Sequence, residues 1–134
     1  MWKKFFNNSY TEKEHLYFGE IMYNETGNSF YFDSSLSNKY IVTTKGFVYS
    51  YYVIKDEYAL SYNDKYITKN DIEGVLQRYN FCYTDKSEYL DWFNKTSCNA
   101  MENAILYHFR IICDECELNF IFDDIPQVIC DHLN

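Results

Sequence analysis

Four side chains near the C-terminus have types that bind transition metals. Cys113 and Cys116 are separated by two residues, and His132 stands two residues after Cys130. Three thiolates and one imidazole are a ligand set that zinc accepts in tetrahedral structural sites. The first pair has knuckle spacing, but residues two apart diverge on a strand and lie about 200° apart on a helix. The four residues are therefore either a zinc site in a regulatory or adaptor module or ordinary reduced cysteines and a histidine.

Cys113 and Cys116 also have the Cys-x-x-Cys spacing of thiol–disulfide enzymes. Reactive pairs of this kind lie at helix N-termini, where the helix dipole stabilises a thiolate. Here the pair follows a predicted helix, at the end where the dipole has the opposite sign. Asp114 and Glu115 between the cysteines add negative charge, which also raises a thiol pKa. The sequence therefore predicts no redox role.

No other pattern in the chain is typical of an active site. The three histidines accompany neither a Gly-x-Ser-x-Gly elbow nor a His-Glu-x-x-His pair, and the four glycines do not cluster into a phosphate cradle. Asp123 and Asp124 are either a paired-carboxylate site or a solvated turn, and adjacent acids usually face water. We expect a non-enzymatic protein without a metal or another cofactor.

The end of the chain is strongly acidic. From Ile111 onwards there are six carboxylates and no lysine or arginine, and the whole chain has a net charge of −8. Like charges at this density oppose folding, so we expect them to serve the attraction of a basic partner. The six are Asp114, Glu115, Glu117, Asp123, Asp124 and Asp131.

Aromatic residues are unusually frequent, with 15 Tyr, 11 Phe and 2 Trp. Most are expected to be structural, because β-strands favour aromatic residues and interface anchors are few. The remainder, including Trp92 and Tyr62, are predicted to anchor a partner or the face of a homodimer.

The charge balance excludes two classes of partner. Twelve basic residues against twenty acids make a nucleic-acid interface improbable on electrostatic grounds, and an anionic membrane is excluded for the same reason. The first residues lack the apolar region of a signal peptide, so a cytoplasmic location with reduced cysteines is expected.

The predicted elements segregate along the chain. Tyrosine-rich strands are predicted over 15–23, 29–33, 39–44, 47–54 and 57–62, with 47–54 as the central strand. Helices are predicted over 69–79, after a cap at Asp85, over 100–112, and from Pro126 to Leu133, with a short strand at 118–122 between the last two. This order predicts a single α+β domain over residues 1–134, with an antiparallel β-meander in the N-terminal half packed against helices from the C-terminal half.

These observations predict a binding protein that neutralises a basic protein. An immunity protein or an inhibitor that blocks a nuclease or toxin domain fits this description. The residues predicted to bind the partner are Asp114, Glu115, Glu117, Asp123, Asp124, Trp92 and Tyr62. The zinc-stabilised module that uses Cys113, Cys116, Cys130 and His132 is the alternative.

Overall fold

The computed structural model describes residues 1–6, 14–55, 74–98 and 103–132 of the chain. Within these ranges the backbone forms nine strands and two helices. In chain order they are β1 (Lys3–Lys4), β2 (Leu16–Asn24), β3 (Gly27–Ser34), β4 (Asn38–Thr43), β5 (Ser50–Lys55), α1 (Val75–Arg78), β6 (Phe81–Thr84), α2 (Glu88–Thr96), β7 (Tyr107–Ile112), β8 (Cys116–Phe122) and β9 (Gln127–His132). Neither α1 nor α2 has the length and apolar character that a membrane-crossing helix requires.

The strands form two antiparallel sheets. One sheet has the strand order β1-β6-β7-β8-β5, and the other has the order β2-β3-β4-β9. The chain begins in the five-stranded sheet with β1, forms β2–β4 of the other sheet, returns to the five-stranded sheet for β5–β8, and ends with β9, which pairs with β4. The two sheets are therefore tied together by the chain as well as by packing.

A tight turn starts the β2–β3–β4 meander. The backbone amide of Thr26 donates to Asn24 Oδ1 at 2.8 Å, which closes the turn between β2 and β3. Gly27 follows with a φ of 155°, and a Cβ at this position would lie 2.1 Å from the carbonyl oxygen of Thr44. Only glycine fits here without displacing the backbone.

The main core lies between the two sheets. Phe30 of β3 stacks on Phe120 of β8 with ring centroids 4.9 Å apart, and Phe120 stacks on Phe109 of β7 at the same separation. Each buried ring removes about 150–250 Å² from water, so this stack is a large stabilising contribution. The buried members of this core are Leu16, Phe30, Phe32, Tyr40, Val42, Phe81, Phe109, Ile111, Cys113, Leu118, Phe120 and Phe122.

The opposite face of the five-stranded sheet is also covered. Two smaller clusters lie there, one beside α1 and one beside α2. Their buried members are Trp2, Val75, Leu76, Cys82 and Ile112 in the first and Tyr89, Leu90, Leu106 and Ile121 in the second. As a result, every residue of β7 after Tyr107 and every residue of β8 after Cys116 is buried.

The predicted fold class, an α+β domain with an N-terminal meander packed on C-terminal helices, is wrong. The protein is mostly β, and its meander packs on a second antiparallel sheet. Of the described helices, only α2 is longer than about one turn.

The helix predicted over 100–112 is the main source of this error, because residues 107–112 form strand β7. His108 and Ile112 have the spacing of one helical face, yet residues four apart also share one face of a strand. A strand that is buried on both faces is apolar almost throughout, so it lacks the alternation that would have distinguished it from a helix.

The helix predicted from Pro126 to Leu133 is also wrong, because Gln127–His132 is strand β9. The β-branched residues Val128 and Ile129 favour a strand, and pairing with β4 supplies the backbone hydrogen bonds. The long-range partner that decides this element is not visible in the local sequence.

The strand predicted over 47–54 exists as β5 but is not central. It lies at one end of the described five-stranded sheet and pairs there with β8. Aromatic and aliphatic residues on both of its faces suggested double burial, whereas Tyr51 and Val53 are 43 % and 44 % exposed. These exposed apolar residues therefore require another explanation.

Other predicted elements agree with the structure. The strands at 15–23, 29–33, 39–44 and 118–122 correspond to β2, β3, β4 and β8. The helix predicted after Asp85 corresponds to α2, although its N-cap is Ser87. Residues 69–73 of the first predicted helix and the strand predicted over 57–62 lie outside the described residues.

Candidate functional site

An aromatic groove lies between β5 and α2. It has a volume of about 550 Å³ and is open to solvent. Its most exposed ring is Trp92, at 52 %. The lining residues are Ser50, Tyr51, Tyr52, Ile54, Glu88, Tyr89 and Trp92. We refer to this surface as the Trp92 groove.

The N-terminus of α2 places the helix beside β5. The Oγ of Ser87 accepts a hydrogen bond from the backbone amide of Leu90 at 3.2 Å. Glu88 and Asp91 follow in the first turn, where carboxylates interact favourably with the helix dipole. The next residue, Trp92, is one turn above Glu88 and faces the groove.

Tyr89 forms the base that supports the groove. Its hydroxyl donates to Ser50 Oγ at 2.5 Å, and its ring lies edge-on to Tyr52 with centroids 4.8 Å apart. Trp92 stacks on the Tyr89 ring at 5.8 Å and 26°. Burial raises the pKa of Tyr89 to about 12, so its hydroxyl keeps its proton and remains a donor. The exposed indole is therefore held in place by a buried tyrosine.

The groove has the chemistry of a binding surface. Apart from Glu88, its lining carries no carboxylate, amine, guanidinium or imidazole group. Exposed tryptophan and tyrosine in a preformed depression are typical anchors of protein interfaces. The arrangement favours contact with an apolar or aromatic group of a partner.

Four of the six predicted acidic residues fall into two turns at opposite ends of β8. Asp114 and Glu115 lie in the turn before this strand, and Asp123 and Asp124 lie immediately after it. All four are exposed. A strand of this length spans about 20 Å, so the acids do not form one continuous patch. Because β5 runs beside β8, one acidic turn lies near each end of β5.

Three of these acids have neighbours that hold them in place. Asp114 Oδ1 lies 2.9 Å from His15 Nδ1, and Asp123 Oδ2 accepts from the hydroxyl of Tyr49 at 3.0 Å. Asp124 Oδ1 accepts a hydrogen bond from the backbone amide of Ile125 at 2.8 Å, and Asp124 also lines a second pocket of about 480 Å³ together with Lys45. Asp131 of β9 is paired in register with Lys39 of β4, away from both turns.

Glu117 does not belong to this acidic surface. Only 4 % of it is exposed, and its carboxylate forms a two-point ion pair with Arg110, with Arg110 Nε donating to Oε2 at 2.9 Å. A partner has no access to this carboxylate. Tyr62, the other predicted anchor besides Trp92, lies outside the described residues.

The predicted metal ligands are only partly brought together. Cys113 and Cys116 flank the turn between β7 and β8, where the Cys113 amide donates to the Cys116 carbonyl at 2.9 Å. Cys130 is on β9 of the other sheet, opposite Tyr40. The part of the chain that the structure describes contains no group of three His, Cys, Asp or Glu residues that could hold a metal ion. The side chain of His132 is not described.

The environment of these thiols is also unfavourable for a thiolate. A hydrogen bond with the Cys116 side chain and burial raise the pKa of Cys113. Burial likewise raises the pKa of Cys130. Both thiols therefore remain protonated at neutral pH, which disfavours nucleophilic chemistry.

A second group of polar side chains is buried on the helix-facing side of β7 and β8. His108 and Arg110 of β7 and Glu117 and Asn119 of β8 each expose 4 % or less. Sequence reasoning placed His108 on a helix and did not group it with the other three. The signal that indicates such a group is polar residues at alternate positions within two apolar runs.

His108 links α2 to β8 in this group. Its Nδ1 lies 2.9 Å from Ser87 Oγ, and its Nε2 lies 2.6 Å from Asn119 Oδ1. Asn119 Oδ1 can only accept, so Nε2–H donates to it, and the unprotonated Nδ1 of the neutral ring accepts from the Ser87 hydroxyl. Burial lowers the pKa of His108 to about 3, so the imidazole is neutral at pH 7.

Serine, histidine and asparagine in contact are also the components of an acyl-transfer site. Here Ser87 is fully buried, and its oxygen caps a helix. A substrate therefore does not reach the hydroxyl. The network positions α2 on the sheet, which in turn positions Trp92.

The comparisons with known proteins give no functional assignment. No family model, no curated protein and no solved structure matches the chain. The groove, the acidic turns and the buried network are the features of the described residues that bear on function.

The burial of the Arg110–Glu117 ion pair predicts that removing the charge of Glu117 strongly destabilises the fold. Replacing Glu117 by Gln leaves the Arg110 guanidinium buried without its counter-charge, and we expect the free energy of unfolding to fall by about 3–5 kcal/mol. Chemical denaturation measures this loss. The matched control is Glu115→Gln in the adjacent exposed turn, which should change stability by about 0.5 kcal/mol or less. A Glu117→Gln loss no larger than that of the control contradicts the buried pair.

The neutral state of His108 predicts a pH dependence of stability. In the unfolded chain a histidine binds a proton below about pH 6.5, whereas folded His108 does so only near pH 3. Its contribution is therefore fully present above about pH 6.5 and decreases as the pH falls towards 3, at about 1.4 kcal/mol per pH unit. Carboxylates also titrate in this range, so the measured quantity is the difference between the wild type and His108→Gln.

Denaturation curves at several pH values between 6.5 and 4 test this expectation. The wild type should lose stability more steeply than His108→Gln as the pH falls. His15→Gln controls for the loss of an exposed imidazole. Parallel curves for the wild type and His108→Gln contradict a buried neutral imidazole.

Proposed function

We propose that the chain is a non-enzymatic, cytoplasmic binding protein that docks a basic protein through the Trp92 groove. In this proposal it acts as an immunity protein or inhibitor that occludes a nuclease or toxin domain. The observation that carries the proposal is the half-exposed indole of Trp92, stacked on a buried tyrosine in a preformed aromatic groove. Apolar and aromatic side chains that form one contiguous exposed surface, as in this groove, mark interaction sites more often than singly exposed rings do.

The rigidity of the groove favours tight binding. Tyr89 is fixed by its hydrogen bond to Ser50, and Trp92 is fixed by its stacking on Tyr89. A partner that contacts Trp92 therefore does not have to order it first. Preorganisation of this kind reduces the entropic cost of association.

The charge of the chain supports a basic partner. The net charge is −8, and the two acidic turns lie near the two ends of β5, beside the groove. Opposite charge accelerates the encounter, while the aromatic contact retains the partner. A nuclease domain is suited to this arrangement, because the lysines and arginines that contact its phosphate substrate are available to pair with carboxylates.

A homodimer through the same groove is less favoured than a basic partner. Each copy would bring a net charge of −8 to the interface. Like charges across an interface oppose association, and they would have to be overcome by the aromatic contact alone.

The proposal is tested by selection from a displayed library of protein fragments of the source organism, including products of the neighbouring reading frames. We expect basic domains among the binders, with affinity for Trp92→Ala reduced by about 30-fold or more, as for an interface anchor. The matched control is Phe47→Ala, because Phe47 is 59 % exposed and does not line the groove.

A second measurement tests occlusion. Each selected domain with nuclease or toxin activity should lose that activity when the chain is added in equimolar amount, and Trp92→Ala should not inhibit it at that concentration. A selection that yields only acidic binders, or only binders that are equally affected by Phe47→Ala and Trp92→Ala, overturns the proposal. An empty selection also counts against it.

A further inference from the structure

We infer that the partner binds as an extended segment that adds a strand to β5, with alternate side chains in the Trp92 groove. This inference rests on the proposed function and specifies its binding mode. Among the described strands, β5 is the last of the five-stranded sheet and pairs only with β8. A strand in this position offers backbone donors and acceptors to an added chain.

The hydrogen-bond pattern of the sheet shows which backbone groups of β5 point outward. The amide of Ile112 donates to the carbonyl of Asn80, so at Ile112 the backbone of β7 faces β6. The backbone N–H and C=O groups of successive residues point alternately to the two sides of a strand. Those of residues 107, 109 and 111 of β7 therefore point towards β8. Their partners in β8 are residues 122, 120 and 118, which face back towards β7.

The remaining residues of β8 face β5. These are residues 117, 119 and 121, and their partners in β5 are Ile54, Tyr52 and Ser50. The backbone amides and carbonyls of Tyr51, Val53 and Lys55 therefore point away from β8. The carbonyl of Ile121 accepts a hydrogen bond from the Tyr49 amide at 2.9 Å, which confirms that this carbonyl points away from β7 and towards the β5 side.

The outward-facing edge is suited to pairing. Residues 50–54 are Ser-Tyr-Tyr-Val-Ile, without charge, proline or glycine. Sheet edges that avoid pairing usually carry charged residues or proline. In β5 the only charged residue is Lys55, which is the last residue of the strand. Tyr51 and Val53 combine high β-propensity with more than 40 % exposure.

The groove lies where the side chains of an added strand would extend. Ser50, Tyr52 and Ile54 line it from the strand, and Tyr89 and Trp92 line it from α2. An added strand places every second side chain on the same face as Tyr52, within reach of the aromatic rings. Strand pairing would provide affinity through the backbone, and the groove would select apolar side chains at alternate positions.

The acidic turns specify the charge of the segment. Glu115 lies near the Lys55 end of β5, and Asp123 lies near the Ser50 end through its bond with Tyr49. Basic residues that flank the apolar positions would meet these carboxylates. The expected ligand is thus an extended segment in which apolar groove residues are interspersed with lysine or arginine.

A fluorescein-labelled peptide in which lysine alternates with phenylalanine or valine is a suitable probe. We expect saturable binding, monitored by fluorescence polarisation. Val53→Pro removes one outward amide while retaining the bonds to β8, and it should weaken binding about tenfold or more, as for a lost backbone hydrogen bond and distorted pairing. Val53→Ala is the control for loss of the side chain alone and should weaken binding by less than about threefold.

Amide hydrogen exchange of the wild-type protein provides a test that does not depend on the fold of the proline variant. Peptide binding should increase protection at Tyr51, Val53 and Lys55. The amides of Tyr52 and Ile54 are already bonded to β8 and should change much less. Equal changes in the two sets, or none, overturn strand addition.

The outcomes separate the inference from the proposed function. If the peptide or a selected basic domain depends on Trp92 but not on the outward amides of β5, the groove is used without strand addition and only this inference fails. If binding depends on neither, or if the peptide does not bind and no selected domain depends on Trp92, the proposed function fails as well. Self-association that is lost in Val53→Pro would instead identify a second copy as the occupant and would also overturn the proposal of a basic partner.

Discussion

Burial of β7 and β8 on both faces is the constraint on which the structure depends. One face of this pair packs on the four-stranded sheet through the stacked rings of Phe30, Phe109 and Phe120. The other face must be covered too, and α2 covers part of it through Tyr89 and Leu90. Among the described strands, only β5 lies beyond β8 in this sheet, and the space between β5 and α2 is the Trp92 groove. The groove is therefore a consequence of how the sheet is covered.

The buried polar group makes this packing specific. An apolar helix would pack on an apolar sheet in several registers, whereas the contacts of His108 with Ser87 and Asn119 join one point of α2 to one point of the sheet. The Arg110–Glu117 pair adds a charged contact that is satisfied only when β7 and β8 keep their register. Such groups contribute less to stability than apolar packing, but they exclude alternative arrangements.

The sequence predicted the local features of the fold better than its long-range ones. The strands β2–β5 of the N-terminal half and the helix α2 were identified correctly, because strand alternation and helical periodicity are local signals, although Ser87 and not Asp85 caps the helix. β7 and β9 were assigned to helices because burial on two faces and pairing with a distant strand leave no local pattern. At the candidate site, Trp92 is exposed as its residue type suggested, and its role in binding stays a prediction. Glu117 was misjudged, because its partner Arg110 lies across a turn on a strand that was not predicted.

The central claim is that the Trp92 groove is where a basic partner binds. Hydroxyl-radical footprinting tests it most directly, since the chain exposes aromatic residues on a second surface as an internal control. With the lysine-containing peptide bound, Trp92 and Tyr51 should become protected, while Tyr17 and Tyr23 of β2, which are 47 % and 65 % exposed, should react as before. Protection of Tyr17 and Tyr23 without protection of Trp92 would contradict the account.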